Sequence, residues 1–360
     1  MSALRDLRIN HEFASINYRM KQVVVGLDIG GTNTAIGIVD REGNVLYEKI
    51  PQIPTPQKKE NPDARLDISD ALCHDFIARI TSEIRIAIAH IKKSILDIEV
   101  VGIGIGAPYA NYYDGTIGIT ANLPFVTVVP LTALIQAELP EISIVKVTND
   151  ANAAALGELI YGGGVGMRNF VMITLGTGLG SGIIVNGDLV YGHDGLAGEL
   201  GHVTVVPDGR QCGCGSKGHL ETYCSATGIT RTVFELLAQT NDTESPLAKI
   251  SYNELTSKMV YEAALQKDPL ALEVFNFTGE ILGRSLADTV NCLSPEAIFL
   301  FGGPVAAGEI LFKPTRESLE RYVLPFYRNK IKILPSQLKL GSAAIVGASA
   351  LVWKELDKLK

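Results

Sequence analysis

Two segments of this chain carry one pattern. Residues 23–27 form a short, β-branched apolar run that breaks at Asp28-Ile-Gly-Gly-Thr32 and resumes over 35–39. Residues 170–175 form a second such run, broken by Gly176-Thr-Gly178 and Gly180-Ser-Gly182 and resuming over 183–185. Apolar runs this short, bounded by turn residues, read as buried strands. Laid over each other, Gly31-Thr32 meets Gly176-Thr177 and Gly37-Ile38 meets Gly182-Ile183. Two strand–turn–strand units of one design predict a duplicated α/β architecture with two similar halves. The competing reading is a pair of unrelated hairpins, but each turn joins Gly to Thr directly after a fully apolar strand.

The rest of the chain fills in around these units. Residues 45–50 extend the first hairpin into a three-strand meander, and 51–66 read as a Pro- and charge-rich loop. Ile68, Leu72, Phe76, Ile80, Ile84 and Ile88 recur at helical spacing within 67–93. Residues 99–105 read as a strand running into Gly106-Ala-Pro108, 131–139 as a helix and 142–147 as a strand. That strand delivers Asn149-Asp150 to the start of an Ala-rich helix over 151–159. Helices are expected over 227–239, 255–266 and 269–293, strands over 297–301 and 331–334, and a last helix over 343–359.

The chain has 360 residues, which suggests about two domains, and 46% of them are hydrophobic, too many for a disordered chain. Its net charge of −7 shows no basic run of the kind a nucleic-acid binder uses. The longest apolar stretches, 101–108 and 343–353, fall short of the ~18–20 residues that cross a bilayer. Residues 1–22 carry Arg5, Asp6, Arg8, Glu12, Arg19 and Lys21 without an apolar core, unlike a secretory signal. The five cysteines are an odd number, and Cys212, Cys214 and Cys224 cluster, which suits a metal site in a reducing compartment better than a disulfide framework. The expected location is cytoplasmic.

Chemistry follows from the turns. Loops stripped of side chains present backbone N–H groups to phosphate oxygens, and Thr adds a hydroxyl. Neither loop is followed by Lys-Ser/Thr, and neither opens a helix. Asp28 ends a buried strand, where a carboxylate needs a partner; Mg²⁺ beside phosphates is one, and the N–H groups of Gly30 and Gly31 are another. Asn149-Asp150 ends another strand, where α/β folds place ligands, and either a helix cap or a general base fits there. His202, Cys212, Cys214 and His219 supply two imidazoles and two thiolates for a closed, structural zinc site, with Cys224 as a rival fourth ligand. Glu199 and Glu221 flank this set, and carboxylates suit the vicinal hydroxyls of a sugar.

Together these segments resemble the ROK sugar kinases. Asp28-x-Gly-Gly-Thr32 and Leu175-Gly-Thr-Gly-x-Gly180 resemble the family's two phosphate loops, and Asn149-Asp-Ala-Asn-Ala-Ala its catalytic segment. Glu199-x-Gly-His202 and the Cys212-x-Cys-Gly-x-x-Gly-x-x-Glu221 run resemble its sugar and zinc signature, and Gly302-Gly303 its loop beside adenosine. The resemblance spans about residues 23–353. His219 departs from it, standing where the family usually has a third Cys.

The resemblance implies an actin-like, ribonuclease H-like duplicated fold of two α/β domains with a cleft between them. It implies a leader over 1–22, a small domain over 23–122 joined by a C-terminal helix over 343–360, and a large domain over 123–342 carrying the zinc loop. ATP and Mg²⁺ would lie against Asp28, Gly30, Gly31, Thr32, Gly176, Thr177, Gly178, Gly302 and Gly303. The sugar would be held by Asn122, Asn149, Glu199, His202 and Glu221, with Asp150 as base. Glu221-Thr-Tyr-Cys-Ser-Ala-Thr-Gly228 is similar to bacterial glucokinases of the family, which implies phosphorylation of the 6-hydroxyl of glucose. N-acetylmannosamine, N-acetylglucosamine, fructose, mannose and allose stay open as acceptors. The family also holds sugar-responsive repressors with an N-terminal helix-turn-helix, for which the residues before Val23 are too few. A homo-oligomer, dimer or tetramer, is implied, with no nucleic-acid or membrane partner.

Overall fold

The computed structural model describes residues 20–55, 71–95, 97–118, 127–240 and 244–359. Asn122 and the expected leader up to residue 19 lie outside them. The first half runs β1 (Lys21–Ile29), β2 (Asn33–Asp40), β3 (Val45–Pro54), α1 (Ala71–Ser94), β4 (Ile98–Gly106), a small hairpin β5 (Ala110–Asn111) and β6 (Thr116–Ile117), α2 (Leu131–Glu138), β7 (Val145–Thr148) and α3 (Asp150–Tyr161). The second runs β8 (Phe170–Leu175), β9 (Leu179–Val185), β10 (Asp188–Leu189), α4 (Glu221–Cys224), α5 (Ala226–Thr240), α6 (Ser257–Leu265), α7 (Pro269–Leu293), β11 (Ala297–Phe301), α8 (Glu309–Tyr322), β12 (Lys332–Pro335) and α9 (Ala343–Lys358).

Duplication is visible in the sheets. One has strand order β3-β2-β1-β4-β7 and the other β10-β9-β8-β11-β12. In each, an antiparallel meander is followed by two parallel strands: β1 pairs parallel with β4 and β4 with β7, as β8 does with β11 and β11 with β12. The expected two-lobe α/β architecture is therefore present. Each sheet has its own apolar core, one built on Val25, Leu27, Ile80 and Ile103, the other on Ile173, Phe275, Leu286 and Leu300.

Two features differ from the sequence reading. The expected division at residue 122 assigns α2 and β7 to the second lobe, yet β7 hydrogen-bonds β4, and Leu131, Ile135 and Val147 sit in the first core. The parallel ladder decides this, because the topology matches β7 to β12 as the last strand of each sheet. Helix α8 was not among the expected elements. It contains Pro314 and a charged outer face, which break its apolar pattern, while Leu311, Phe312, Thr315 and Leu319 are buried.

The last helix returns to the first sheet while also touching the second through Ala350 and Leu351. Helix α9 packs Val352 and Trp353 against Val24, and Ile345 against Val39. Glycines in β1 and β4 admit it: a Cβ on Gly104 would lie 1.9 Å from the carbonyl oxygen of Ala348, and one on Gly26 2.3 Å from that of Ile345. Replacing Gly104 by Ala should therefore cost about 1–3 kcal/mol of overpacking or more. Urea unfolding measures it, and a midpoint equal to that of the parent would refute the close fit.

Candidate active site

Because β1, β4 and β7 run parallel, their C-terminal ends lie side by side. Asp28 pairs with Gly106, and Gly106 with Thr148, which immediately precedes Asn149-Asp150. A Cβ on Gly106 would sit 3.7 Å from the Asp150 Cα and 3.8 Å from Asp28 Oδ1, so a bare glycine leaves the two acids in one neighbourhood. Burial, with the Asp150 charge adding to it, pushes the Asp28 carboxyl up to about 6. Asp150 is accessible to solvent, but the protein packed around it also raises its pKa, against the opposing hydrogen bond from the Ala151 N–H. Asn149 Oδ1 accepts that same N–H at 2.9 Å and caps α3. The two readings of Asn149-Asp150 thus separate: Asn149 caps, and Asp150 turns a carboxylate outward.

The Gly/Thr turns stand at the matching ends of β1 and β8. In the first, the Thr55 hydroxyl donates to the Gly30 carbonyl at 2.7 Å and the Thr55 N–H to the Thr32 carbonyl at 3.0 Å, while Thr32 itself is exposed. In the second, the Ala226 N–H donates to the Gly176 carbonyl at 2.8 Å and the Thr227 hydroxyl to the Thr177 carbonyl at 2.9 Å. Tying down these carbonyls leaves Gly176 and Thr177 exposed. Gly302 follows β11, which pairs Phe301 with Thr174, and so lies against the second turn. Its φ of 116° and a Cβ position 2.1 Å from the Leu175 carbonyl oxygen exclude any other residue; at Gly303 the same position is open.

The carboxylates flanking the Cys/His run come from the second lobe. Glu221 opens α4, and its Oε2 accepts the Leu179 N–H at 3.1 Å. A Cβ on Gly178 would fall 2.4 Å from that oxygen, so the second turn and Glu221 meet only because Gly178 has no side chain. Glu199 lies 3.8 Å from His202 Nε2. Its pKa is raised, first by burial and then by Asp150 and Glu221, with His202 opposing. Asp150, Glu199 and Glu221 therefore share one neighbourhood, to which both lobes contribute.

One nitrogen or sulfur atom from each of His202, Cys212, Cys214 and His219 lies within 4.8 Å of the others, a group that could hold a metal ion. His202 Nδ1 is 3.3 Å from His219 Nδ1, Cys214 Sγ is 3.3 Å from His219 Nδ1, and Cys212 Sγ is 3.8 Å from His202 Nδ1. Cys212 Sγ also donates to Glu221 Oε1 at 3.4 Å, which links the cluster to the carboxylate. Cys224 is elsewhere: fully buried in the second core, with its thiol directed at the Thr278 carbonyl.

Ser181 was not singled out in the sequence. It is buried on β9, donates to the Gly198 carbonyl and accepts the Leu200 N–H at 3.1 Å, gripping the backbone on both sides of Glu199. Only its place inside the Gly-rich second turn hinted at a role.

The sequence pattern of the ROK family matches residues 24–355. A glucokinase of Halalkalibacterium halodurans is 35% identical over 93% of this chain and 96% of its own. The solved structure of a ROK family glucokinase from Streptomyces griseus, in complex with glucose and AMPPNP, is 34% identical, with a TM-score of 0.71 over 91% of this chain and 98% of that one. A ROK family transcriptional regulator, a homologue of the E. coli MLC protein, superposes with a TM-score of 0.79 at 27% identity, over 93% of this chain and 78% of its own.

The raised Asp28 pKa has a consequence for stability. Between its ordinary 3.8 and about 6, the unfolded chain has ionised while the folded one keeps its proton, so stability falls as pH rises through that window. Asp28→Asn removes the penalty. Without nucleotide or magnesium, it should be more stable than the parent by about 2–3 kcal/mol at pH 7, at 1.36 kcal/mol per pKa unit, and equal to it near pH 3.5. Denaturant titrations at both pH values test this, and a parent more stable at pH 7 would contradict it.

Proposed function

The chain belongs to the ROK family, and from that membership we propose how its residues divide the work of an ATP-dependent glucokinase. The protein is a hexose kinase of the glucokinase type, moving the γ-phosphoryl group of ATP to a sugar hydroxyl. The observation that carries the division of labour is the shared neighbourhood of Asp150, Glu199 and Glu221. In the proposed arrangement Glu199, Glu221, His202 and Asn149, with Asn122, accept and donate to the ring hydroxyls of glucose. Asp150 takes the proton of the 6-hydroxyl as its oxygen attacks phosphorus. A base pKa lifted by burial suits that task, since it lies nearer the working pH. The exposed hydroxyls of Thr32 and Thr177 and the Gly178 N–H receive the phosphates; the Gly30 N–H, donating to the Asn33 carbonyl at 3.0 Å, and the Gly176 N–H, donating to the Gly178 carbonyl at 2.9 Å, close the two turns around Gly31 and Thr177, and Gly302-Gly303 gives adenosine a surface without side chains. Asp28 fits a Mg²⁺ ion, a half-buried acid in want of a counter-charge; the ion would neutralise charge on the phosphates.

Two thiolates and two imidazoles within tetrahedral reach fit zinc, held by Cys212, Cys214, His202 and His219. No fifth protein group is needed, so the ion's role is to order the loop that carries Glu199 and Glu221. A homo-oligomer working in the cytoplasm belongs to the same reading, supported by the family resemblance. The regulator matched above shares this fold, but Asp150 and both turns favour catalysis here.

Asp150→Asn should lower kcat by about 10²–10⁴-fold and leave glucose binding, measured by calorimetry, within a few-fold. A rate close to that of the parent would dismiss Asp150 as the base. Purified protein should hold one zinc per chain by elemental analysis. His219→Ala should lose it and raise the KM for glucose well before that for ATP, whereas Cys224→Ser should keep it. Zinc retained in the first variant and lost from the second would reverse the ligand assignment.

A further inference from the structure

Tyr109 follows Gly106-Ala-Pro108 at the end of β4 and has a φ of 53°. Among the described residues the other non-glycine positions with positive φ are Asn186, Asp208, Lys267, Ser294 and Asn329, so Tyr109 is the one aromatic in that described set. A bulky side chain in the left-handed region is strained, and such strain concentrates where function holds it. The Gly118 N–H fixes this backbone by donating to the Tyr109 carbonyl at 2.9 Å. Packing does not repay the strain, because the residue is 46% exposed. Its hydroxyl has no hydrogen-bond partner among the described residues.

The hairpin that follows fixes where Tyr109 stands. Asn111 Nδ2 donates to the Asp194 carbonyl at 2.8 Å, and the Tyr113 hydroxyl to the Gly192 carbonyl at 2.9 Å. Tyr112 stacks on Tyr191 with ring centroids 4.0 Å apart and planes 10° from parallel. The β5–β6 hairpin of the first lobe is thus fastened to the second-lobe segment that leads into Glu199. Burial first, and then the Glu199 and Glu221 carboxylates, raise the pKa of the Tyr109 phenol, which lies in the field of that face.

We propose that Tyr109 contacts the sugar and sets its selectivity. Its ring and hydroxyl, carried by the first lobe, form the wall opposite Glu199 and Glu221 and favour an unsubstituted hexose over one bearing an N-acetyl group. The inference rests on the sugar-kinase reading above. It assigns a role to a strained, exposed phenol that the reaction as described does not use.

Steady-state kinetics with glucose and with N-acetylglucosamine, on the parent, Tyr109→Phe and Tyr109→Gly, test it, together with thermal unfolding. Glycine adopts this φ without strain, so Tyr109→Gly should melt no lower than the parent. Its KM for glucose should rise about tenfold, and its kcat/KM preference for glucose over N-acetylglucosamine should fall by about tenfold or more. Tyr109→Phe should melt like the parent and raise the glucose KM about 3- to 10-fold, the worth of one hydrogen bond. The KM for ATP should stay within about twofold in both. If the parent phosphorylates glucose and both variants keep its KM and its preference, Tyr109 is only a strained element of the hairpin and the inference falls. A folded parent that phosphorylates neither sugar and binds neither by calorimetry would overturn the sugar-kinase reading itself, and this inference with it.

Discussion

Two helices of small residues, α3 and α9, fix the spacing on which the whole site depends. A Cβ on Gly347 of α9 would lie 2.4 Å from the Ala153 carbonyl oxygen of α3, and one on Gly157 3.0 Å from the Gly347 Cα. Each helix also presses on a sheet through glycines. Gly26 and Gly104 lie under α9, and a Cβ on Gly182 of β9 would meet the Ala155 Cβ of α3 at 2.5 Å. Gly180 plays the same part under Ala151, directly after Asp150. The acid at the head of α3 is therefore held against the second glycine turn by alanine methyls and backbone packed on glycines, with no long side chain in between to bend. Interiors packed this closely move as blocks and do not deform locally.

The fold was largely legible because its signals are local. Buried parallel strands are apolar throughout, and the Gly/Thr turns repeat, so the two sheets and most helices could be read from spacing. What the spacing could not give is which sheet a short strand joins. Val145–Thr148 looks like any buried strand, and its membership of the first lobe is a matter of hydrogen bonds to β4, far away in sequence. Helix α8 stayed hidden for a different reason: Pro314 and its charged face dilute the helical period that its buried Leu311, Phe312 and Leu319 would otherwise show.

At the site, residue types were easier to read than residue partners. The Cys/His run announced a cluster, but only the folded chain separates Cys224, sealed in the core, from His219, which closes the group. Asn149 and Asp150 each suit a helix start by type, and only geometry gives the cap to Asn149. Ser181 and Tyr109 were missed because a single Ser or Tyr, without a partner at a recognisable spacing, does not point to chemistry. Their importance comes from what the backbone around them does, a grip on both sides of Glu199 in one case and a left-handed φ in the other.

The site is built from parts of unequal stiffness. Asp28, Asp150 and the two turns sit on strand ends and a helix start, whose positions follow from the ladders and from α3. Glu199 sits in a segment of irregular backbone between β10 and α4, with little regular structure to hold it. Its order comes from discrete contacts: Ser181 on its flanks, His202 at 3.8 Å, and the hairpin clamp at Gly192 and Asp194. In the proposed arrangement the nucleotide end would be set by the core, whereas the sugar end would be set by a few polar bonds and the Cys/His cluster. Segments held in this way open at lower free energy than the core does. On that proposal, changes of acceptor preference would arise in this segment and in the hairpin facing it, while the Gly/Thr turns, locked by glycine contacts, stay as they are.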